Sequence, residues 1–293
     1  MFTGSIVALI TPFKNGEIDK KSLKKLIDFH IENGTHGIVV AGTTGESATL
    51  TYSEHEKLIE LAVEYADKKI PIIAGTGANA THEAIALTKF AEKVGADGSL
   101  QIVPYYNKPT QEGIYQHFKA IAEETNIPLI LYNIPSRTGV DMLPETFARL
   151  YSDFPNIVGL KEATGNVSRV SEIISLTNPE VIILSGDDAL TVPMMSVGAK
   201  GVISVANNLV PKDISLMCDY ALEGNFLEAR KIHDKYWKLF KVLFVETNPI
   251  PVKTAAYMMG LIEDEELRLP LYKMSERNRK LLEETLKEYG LVS

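Results

Sequence analysis

The run "NIVGLKEAT" (Asn156–Thr164) carries a lysine at the end of an apolar, β-branched stretch. At its ordinary pKa of about 10.4, a lysine amine is neutral in fewer than about one in a thousand molecules at pH 7. Burial disfavours the ammonium form, and a neighbouring cation pushes the same way. A depression of about three units separates the two forms by roughly 4 kcal/mol. The neutral amine attacks carbonyls and forms Schiff bases. The resulting iminium is an electron sink that acidifies the adjacent carbon. The chemistry is then carbon–carbon bond formation or cleavage, with no metal and no cofactor. The competing interpretation is a strand-end lysine that reaches solvent or pairs with Glu162. Of the 23 lysines, Lys69 and Lys200 precede apolar runs and most others fall on helical patterns. Lys108 lies in a polar loop, and Lys161 alone sits inside an apolar run at its far end.

Polar residues follow the other apolar runs at the same end. They are Thr43, Thr44 and Glu46 in "GTTGES", and Tyr105 and Tyr106 in "PYYNKPT". "YNIPSRTG" adds Tyr132, Asn133 and Arg137, and "SGDDA" adds Ser185, Gly186 and Asp187. A phenol moves protons during carbinolamine and enamine formation. Threonine hydroxyls hold a carboxylate or relay protons. Arg137 offers a planar fork for a carboxylate. Taken singly these are packing tyrosines, turn threonines and a surface arginine; their convergence at one end favours a site. Metal catalysis finds little support. The six histidines are scattered, without a His-x-x-x-His pair, and cysteine pairs and calcium-loop patterns are absent. There is no Gly-x-Ser-x-Gly elbow and no P-loop. "GTGANA" (Gly75–Ala80) lacks the third glycine of a dinucleotide fingerprint and reads as a strand-to-helix turn.

These side chains need a scaffold. Eight short apolar runs begin at Ser5, Gly37, Ile70, Gly98, Pro128, Ile157, Val181 and Gly201. Helical patterns lie between them. Leu58, Leu61, Ala62 and Tyr65 form one stripe, and Ala84, Leu87, Ala91 and Val94 another. Ser53 and Glu56 have the spacing of a capping box. A Gly-x-x-Gly corner recurs in "NGTHGIVV", "VGADGSLQIV" and "VGAKGVISV", where the first glycine suits a helix C-terminus. Eight near-continuous apolar strands alternating with helices predict an α/β fold, a (β/α)8 TIM barrel with its site at the C-terminal ends of the strands. An open doubly wound sheet is the alternative. After residue 210 the pattern is helical. The expectation is a catalytic barrel over 1–224 and a C-terminal helical extension over 225–293, with the acidic run Glu263–Glu266 as a solvated turn.

The chain has 293 residues, 45% hydrophobic and 23% charged, a soluble globular composition. Its net charge of −8 argues against nucleic-acid and anionic-membrane partners, so anionic substrates would depend on a few local cations. The single cysteine, Cys218, permits no internal disulfide and suits a buried apolar position. The N-terminus lacks the pattern of a signal peptide, and no run approaches a membrane span, so a cytoplasmic protein is expected.

"GTTGES", "PYYNKPTQEGIYQHF", "YNIPSRTG", "GLKEATGN", "SGDD" and "NPIPVK" together closely resemble the dihydrodipicolinate synthase family. The match covers nearly the whole chain. This family is one branch of the pyruvate-dependent Schiff-base aldolases, which also include N-acetylneuraminate lyase. The resemblance implies condensation of pyruvate with L-aspartate-4-semialdehyde, the first committed step toward diaminopimelate and lysine. It implies that Lys161 forms the pyruvate Schiff base and that Tyr132, Thr44 and Tyr106 form a proton relay. Tyr106 would be shared across a tight dimer within a homotetramer. Thr43 and Thr44 would contact the pyruvate carboxylate, Arg137 the semialdehyde carboxylate, and the backbone of Gly186 and Ile203 would line the site. The sialic-acid lyases lack an arginine in the "YNIP" loop, so Arg137 favours a small second carboxylate. A sugar-acid lyase or aldolase using the same lysine, or a barrel that only binds a ligand, are the alternatives. Ala48, Tyr52, His55, Gly77, Asn79, Glu83 and Tyr105 match a lysine effector site at the dimer interface. Tyr52 stands where feedback-sensitive bacterial relatives have histidine, which implies weak or absent lysine inhibition.

Overall fold

Every apolar run expected as a strand forms one. They are β1 (Gly4–Ala8), β2 (Gly37–Val40), β3 (Ile72–Gly75) and β4 (Gly98–Ile102). β5 (Leu129–Asn133), β6 (Ile157–Glu162), β7 (Ile182–Ser185) and β8 (Gly201–Ser204) complete the set. The computed structural model, which describes residues 2–293, pairs them in chain order. All pairs are parallel, and β1 closes the ring on β8. A closed ring has no edge strand, so the open-sheet alternative falls.

The alternation along each strand sorts side chains into two cores. Ile6, Val39, Ile73, Leu100, Ile130 and Leu184 fill the inside of the barrel. Val7, Ile38, Ile72, Leu129 and Leu131 point outward against the helices. Closure depends on glycine at one point. A Cβ on Gly201 would stand 2.0 Å from the carbonyl oxygen of its β1 partner Gly4, closer than any side chain tolerates. The first glycines of the three repeated corners, Gly34, Gly95 and Gly198, all take positive φ (+74°, +89° and +114°), as a left-handed helix end requires.

The outer ring includes α1 (Lys20–Glu32), α2 (Tyr52–Ala66), α3 (Thr81–Val94) and α4 (Gln111–Glu124). It continues with α5 (Pro144–Asp153), α6 (Ser168–Leu176), α7 (Thr191–Ser196) and α8 (Pro211–Leu222). The capping box of α2 lies two residues earlier than the spacing suggested. Thr51 is extended and caps the helix, its hydroxyl accepting from the Glu54 N–H while Glu54 accepts from the Thr51 N–H at 2.8 Å. "TYSEHE" contains two overlapping Ser/Thr-x-x-Glu patterns, and backbone geometry chose the first.

Three helices follow the barrel: α9 (Phe226–Val242), α10 (Ile250–Met258) and α11 (Glu276–Glu288). α10 is buried over its first seven residues. The acidic run is the solvated turn expected, with Glu263 and Asp264 exposed, and it is also ion-paired. Glu263 accepts from Lys14 and Lys21, both at 2.6 Å, and Glu265 pairs with Arg279 at 2.6 Å. Glu266 accepts from the Gly16 N–H at 2.9 Å. The run clasps a hairpin, Phe13–Lys14 with Glu17–Ile18, turned on Asn15 and Gly16 at positive φ. Among the described residues no helix is long and apolar enough to cross a membrane, and no group of three or more His, Cys, Asp or Glu is placed to hold a metal ion.

Candidate active site

β5, β6 and β7 bring the central groups into register. Tyr132 pairs with Lys161, and Lys161 pairs with Leu184. The alternation puts Tyr132 and Leu184 in the barrel interior, so Lys161 points inward between them. Its neighbour Glu162 therefore points outward. There Glu162 accepts from the Thr164 N–H at 2.6 Å and from Asn133 Nδ2 at 3.4 Å. The pairing of Lys161 with Glu162 weighed from the sequence does not form. Lys161 makes no ion pair among the described residues, and its Nζ lies 4.1 Å from the centroid of the Tyr132 ring.

Burial pulls the Lys161 amine down to about 7. Two charges act on it in opposite senses: Asp188 raises it and Arg137 lowers it. Asp188 is a site residue that the sequence reading passes over, where "SGDDA" suggests its neighbour Asp187 instead. Asp187 caps the turn, accepting from the Ala189 N–H at 2.8 Å. Asp188 is buried and accepts from the N–H groups of Val205 (3.1 Å) and Ala206 (2.9 Å) and from the Ser204 hydroxyl. Burial raises its carboxyl to about 6 against those donors. Its negative charge opposes the desolvation that otherwise strips Lys161 of its proton.

Tyr132 is buried, which lifts its phenol to about 12, while Arg137 and the Thr43 hydroxyl pull it back. At neutral pH it is a protonated acid beside the amine. Thr43 is therefore the threonine that acts on this phenol. Thr44 is engaged elsewhere, its Oγ1 accepting from Asn248 Nδ2 at 3.0 Å. The resemblance gave the relay to Thr44, whereas the hydroxyl that lowers the Tyr132 phenol is that of Thr43. Gly186 packs on the amine's stem, and a Cβ there would lie 3.2 Å from Lys161 Cε and 2.6 Å from the Ala163 Cβ. Ile203 lies in the same inner cluster as Tyr132 and Leu184. Arg137 sits on the helical turn Pro135–Thr138 after β5 and donates to the carbonyl oxygen of Asn248 at 3.3 Å.

Tyr106 is the exception among the residues expected at the site. Its φ of +74° turns it outward and it is 88% exposed, so no residue of its own chain buries the ring. The expected effector residues fall partly together. Glu83 acts on both Tyr52 and Tyr105, whose phenols burial raises above their ordinary pKa. Asn79 Nδ2 donates to the Tyr105 carbonyl at 3.1 Å. The His55 ring is occupied by the Gly75 carbonyl at 2.7 Å. The backbone at Gly77 packs tightly on β4, where a Cβ would meet Ile102 N at 2.3 Å, and Ala48 is exposed on the turn before α2.

A buried ion pair holds the "GTTGES" loop. Lys253 Nζ of α10 reaches Glu46 Oε1 at 2.5 Å with both side chains fully buried. The other oxygen of Glu46 accepts from the Arg268 N–H at 3.2 Å. Lys253 lies on a helix, where a lysine ordinarily faces solvent, so its burial has no local signal in the sequence. Unlike Lys161 at the end of a strand, it sits in the middle of the helical segment "PIPVKTAA".

The chain is similar over its whole length to known proteins. The profile of the dihydrodipicolinate synthetase family matches residues 1–289. A 4-hydroxy-tetrahydrodipicolinate synthase of Persephonella marina is 82% identical over 292 residues, spanning 100% of both chains. One from a Sulfurihydrogenibium species is 78% identical over 292 residues, again with 100% coverage of both. The crystal structure of dihydrodipicolinate synthase from Aquifex aeolicus superposes with a TM-score of 0.98 at 58% identity, over 99% of each chain.

Proposed function

Because the chain belongs to the dihydrodipicolinate synthetase family, we propose that it performs its lyase chemistry on Lys161. The reaction is the condensation of pyruvate with L-aspartate-4-semialdehyde to 4-hydroxy-tetrahydrodipicolinate, in diaminopimelate and lysine biosynthesis. The observation that supports the choice of Lys161 is a buried, unpaired amine near neutrality with a phenol beside it. The neutral amine adds to the keto carbon of pyruvate, and loss of water leaves an iminium. Removal of a methyl proton gives the enamine, whose carbon attacks the aldehyde, and the semialdehyde's amino group then adds to the imine carbon, closing the ring and expelling the Lys161 amine. The imine itself is the electron sink, so the reading requires no cofactor.

Tyr132, protonated at neutral pH, supplies and recovers protons, with the Thr43 hydroxyl as its neighbour. Thr44 and Arg137 serve the two carboxylates, with the backbone of Gly186 and Ile203 lining the pocket. The exposed, outward Tyr106 fits a role in a neighbouring subunit's site, within a homotetramer built of tight dimers. Residues 225–293 belong to the same catalytic unit, because Asn248 and Lys253 reach the site loops. A cytoplasmic location is part of this reading, since both substrates are small metabolic intermediates.

Borohydride reduction in the presence of pyruvate tests the assignment. The expected product is one modified peptide, carrying the reduced adduct on Lys161. The rate of trapping should fall about tenfold per pH unit below about 7, where the amine is protonated. A label on another lysine, or a flat pH profile, sinks it.

We also propose that lysine regulates this enzyme weakly. Tyr52 puts a bulky, uncharged phenol where the resemblance expects histidine, and Glu83 beside it is shared with Tyr105. Millimolar lysine is expected to change the steady-state rate by less than about twofold. Strong inhibition at that concentration refutes this.

A further inference from the structure

Asn248 lies in the segment between α9 and α10, outside every barrel strand, yet it is buried and contacts both substrate-binding groups named above. Its side chain reaches Thr44, with Nδ2 donating to Oγ1 at 3.0 Å. Its main chain reaches the arginine, with the carbonyl oxygen accepting from Arg137 Nη2 at 3.3 Å. Its Oδ1 is buried and has no partner among the described residues. Turning the amide over would let that oxygen accept from Thr44. It would also bury an unpartnered NH2 with two donors, in place of one unpartnered acceptor. The donor orientation toward Thr44 is therefore the cheaper one.

That orientation has a chemical consequence. A hydroxyl has one proton and two lone pairs. With a lone pair of Thr44 occupied by the Asn248 amide, its proton is left to donate elsewhere. A carboxylate accepts and never donates, so a hydroxyl locked as a donor suits it. In a chain of net charge −8, such oriented donors matter more than the overall field.

We propose that Asn248 is a positioning residue for the keto-acid subsite: its side-chain amide fixes Thr44 as a hydrogen-bond donor to the pyruvate carboxylate. Its backbone carbonyl independently steadies Arg137 at the second subsite. This rests on the reading that Lys161 forms the pyruvate imine. One residue thus serves two subsites through two different atoms, and substitution alters only the first.

The test is a split of kinetic constants. Asn248→Ala should raise the KM for pyruvate about five- to tenfold and leave the KM for the semialdehyde within about twofold, because the Arg137 contact uses the backbone. In a Thr44→Val background the same change should add less than about twofold, since the group it acts through is gone. Asn248→Asp keeps the shape, places an acceptor where the donor stood, and should raise the pyruvate KM at least as much. If the alanine variant fails to fold, the aspartate variant carries the test. An unchanged pyruvate KM, a loss confined to the semialdehyde, or full additivity with Thr44→Val overturns the inference. Borohydride trapping of the wild-type chain separates the two levels. No adduct at Lys161 overturns the underlying reading, and this inference with it. A normal adduct with an unshifted pyruvate KM in Asn248→Ala overturns this inference alone.

Discussion

Replacing Lys161 by methionine is expected to abolish turnover and, at the same time, to make the protein more stable at neutral pH. Loss of activity follows from the role proposed above: without the amine no imine forms, and a fall of at least about a thousandfold is expected. The gain in stability follows from the depressed pKa. The folded chain holds the amine near 7, whereas in the unfolded chain it returns to its ordinary value of 10.5. Between those two values the unfolded state binds more protons, so stability rises with pH across that window. At and below about pH 7 the full cost of the buried amine is present; above about 10.5 it is gone. The depression corresponds to roughly 4 kcal/mol at pH 7, an upper bound on the gain. Methionine has similar length and no charge to desolvate, so part of that should appear as a higher thermal midpoint. The midpoint difference between variant and wild type should be several degrees at pH 7 and shrink toward zero near pH 10.5. An equal or lower midpoint for the variant at pH 7 shows that the site carries no such burden.

Lys253→Met should have the opposite effect. The Lys253–Glu46 pair is fully buried, and desolvation of the amine is opposed by the carboxylate it holds. Removing the lysine leaves Glu46 as an uncompensated charge, a change that costs about 3–5 kcal/mol in comparable buried pairs. One further hydrogen bond to the Glu46 carboxylate, from the Arg268 N–H, remains and does not neutralise it. Glu46 adopts positive φ (56°) two residues after Thr44, so its displacement moves the loop that carries both threonines. Activity should fall more than about tenfold along with stability. The double variant Lys253→Met/Glu46→Gln should recover much of the stability, because it removes the unpaired charge. Chemical denaturation checks both variants. A loss below about 1 kcal/mol in the single variant, or no recovery in the double, sinks this account.

Position on the strand is why Lys161 could be found before the fold was known. An apolar run that ends in a lysine is a local pattern, and the barrel's polarity sends every strand's C-terminal end to one face. The same logic gathered Tyr132, Thr43, Arg137 and Gly186. It gave Asp188 no advantage over Asp187, because only the return of β8 puts the Ser204–Ala206 donors around one of the two carboxylates. Nor did it give Thr43 and Thr44 different roles, because their difference is set by Tyr132 on one side and Asn248 on the other.

The sequence by itself determined the eight strands, their alternation with helices, the glycine corners and the amine at the end of β6. Those features depend on period, on local backbone preference and on the order of apolar and polar residues, all of which are written within a few positions of each other. The tertiary structure alone decided which charges meet. Lys253 and Glu46 are 207 positions apart, and Asn248 and Thr44 are 204 apart. No local pattern encodes such a pair, because each partner is unfavourable in the core until ring closure and the docking of α10 bring the other to it.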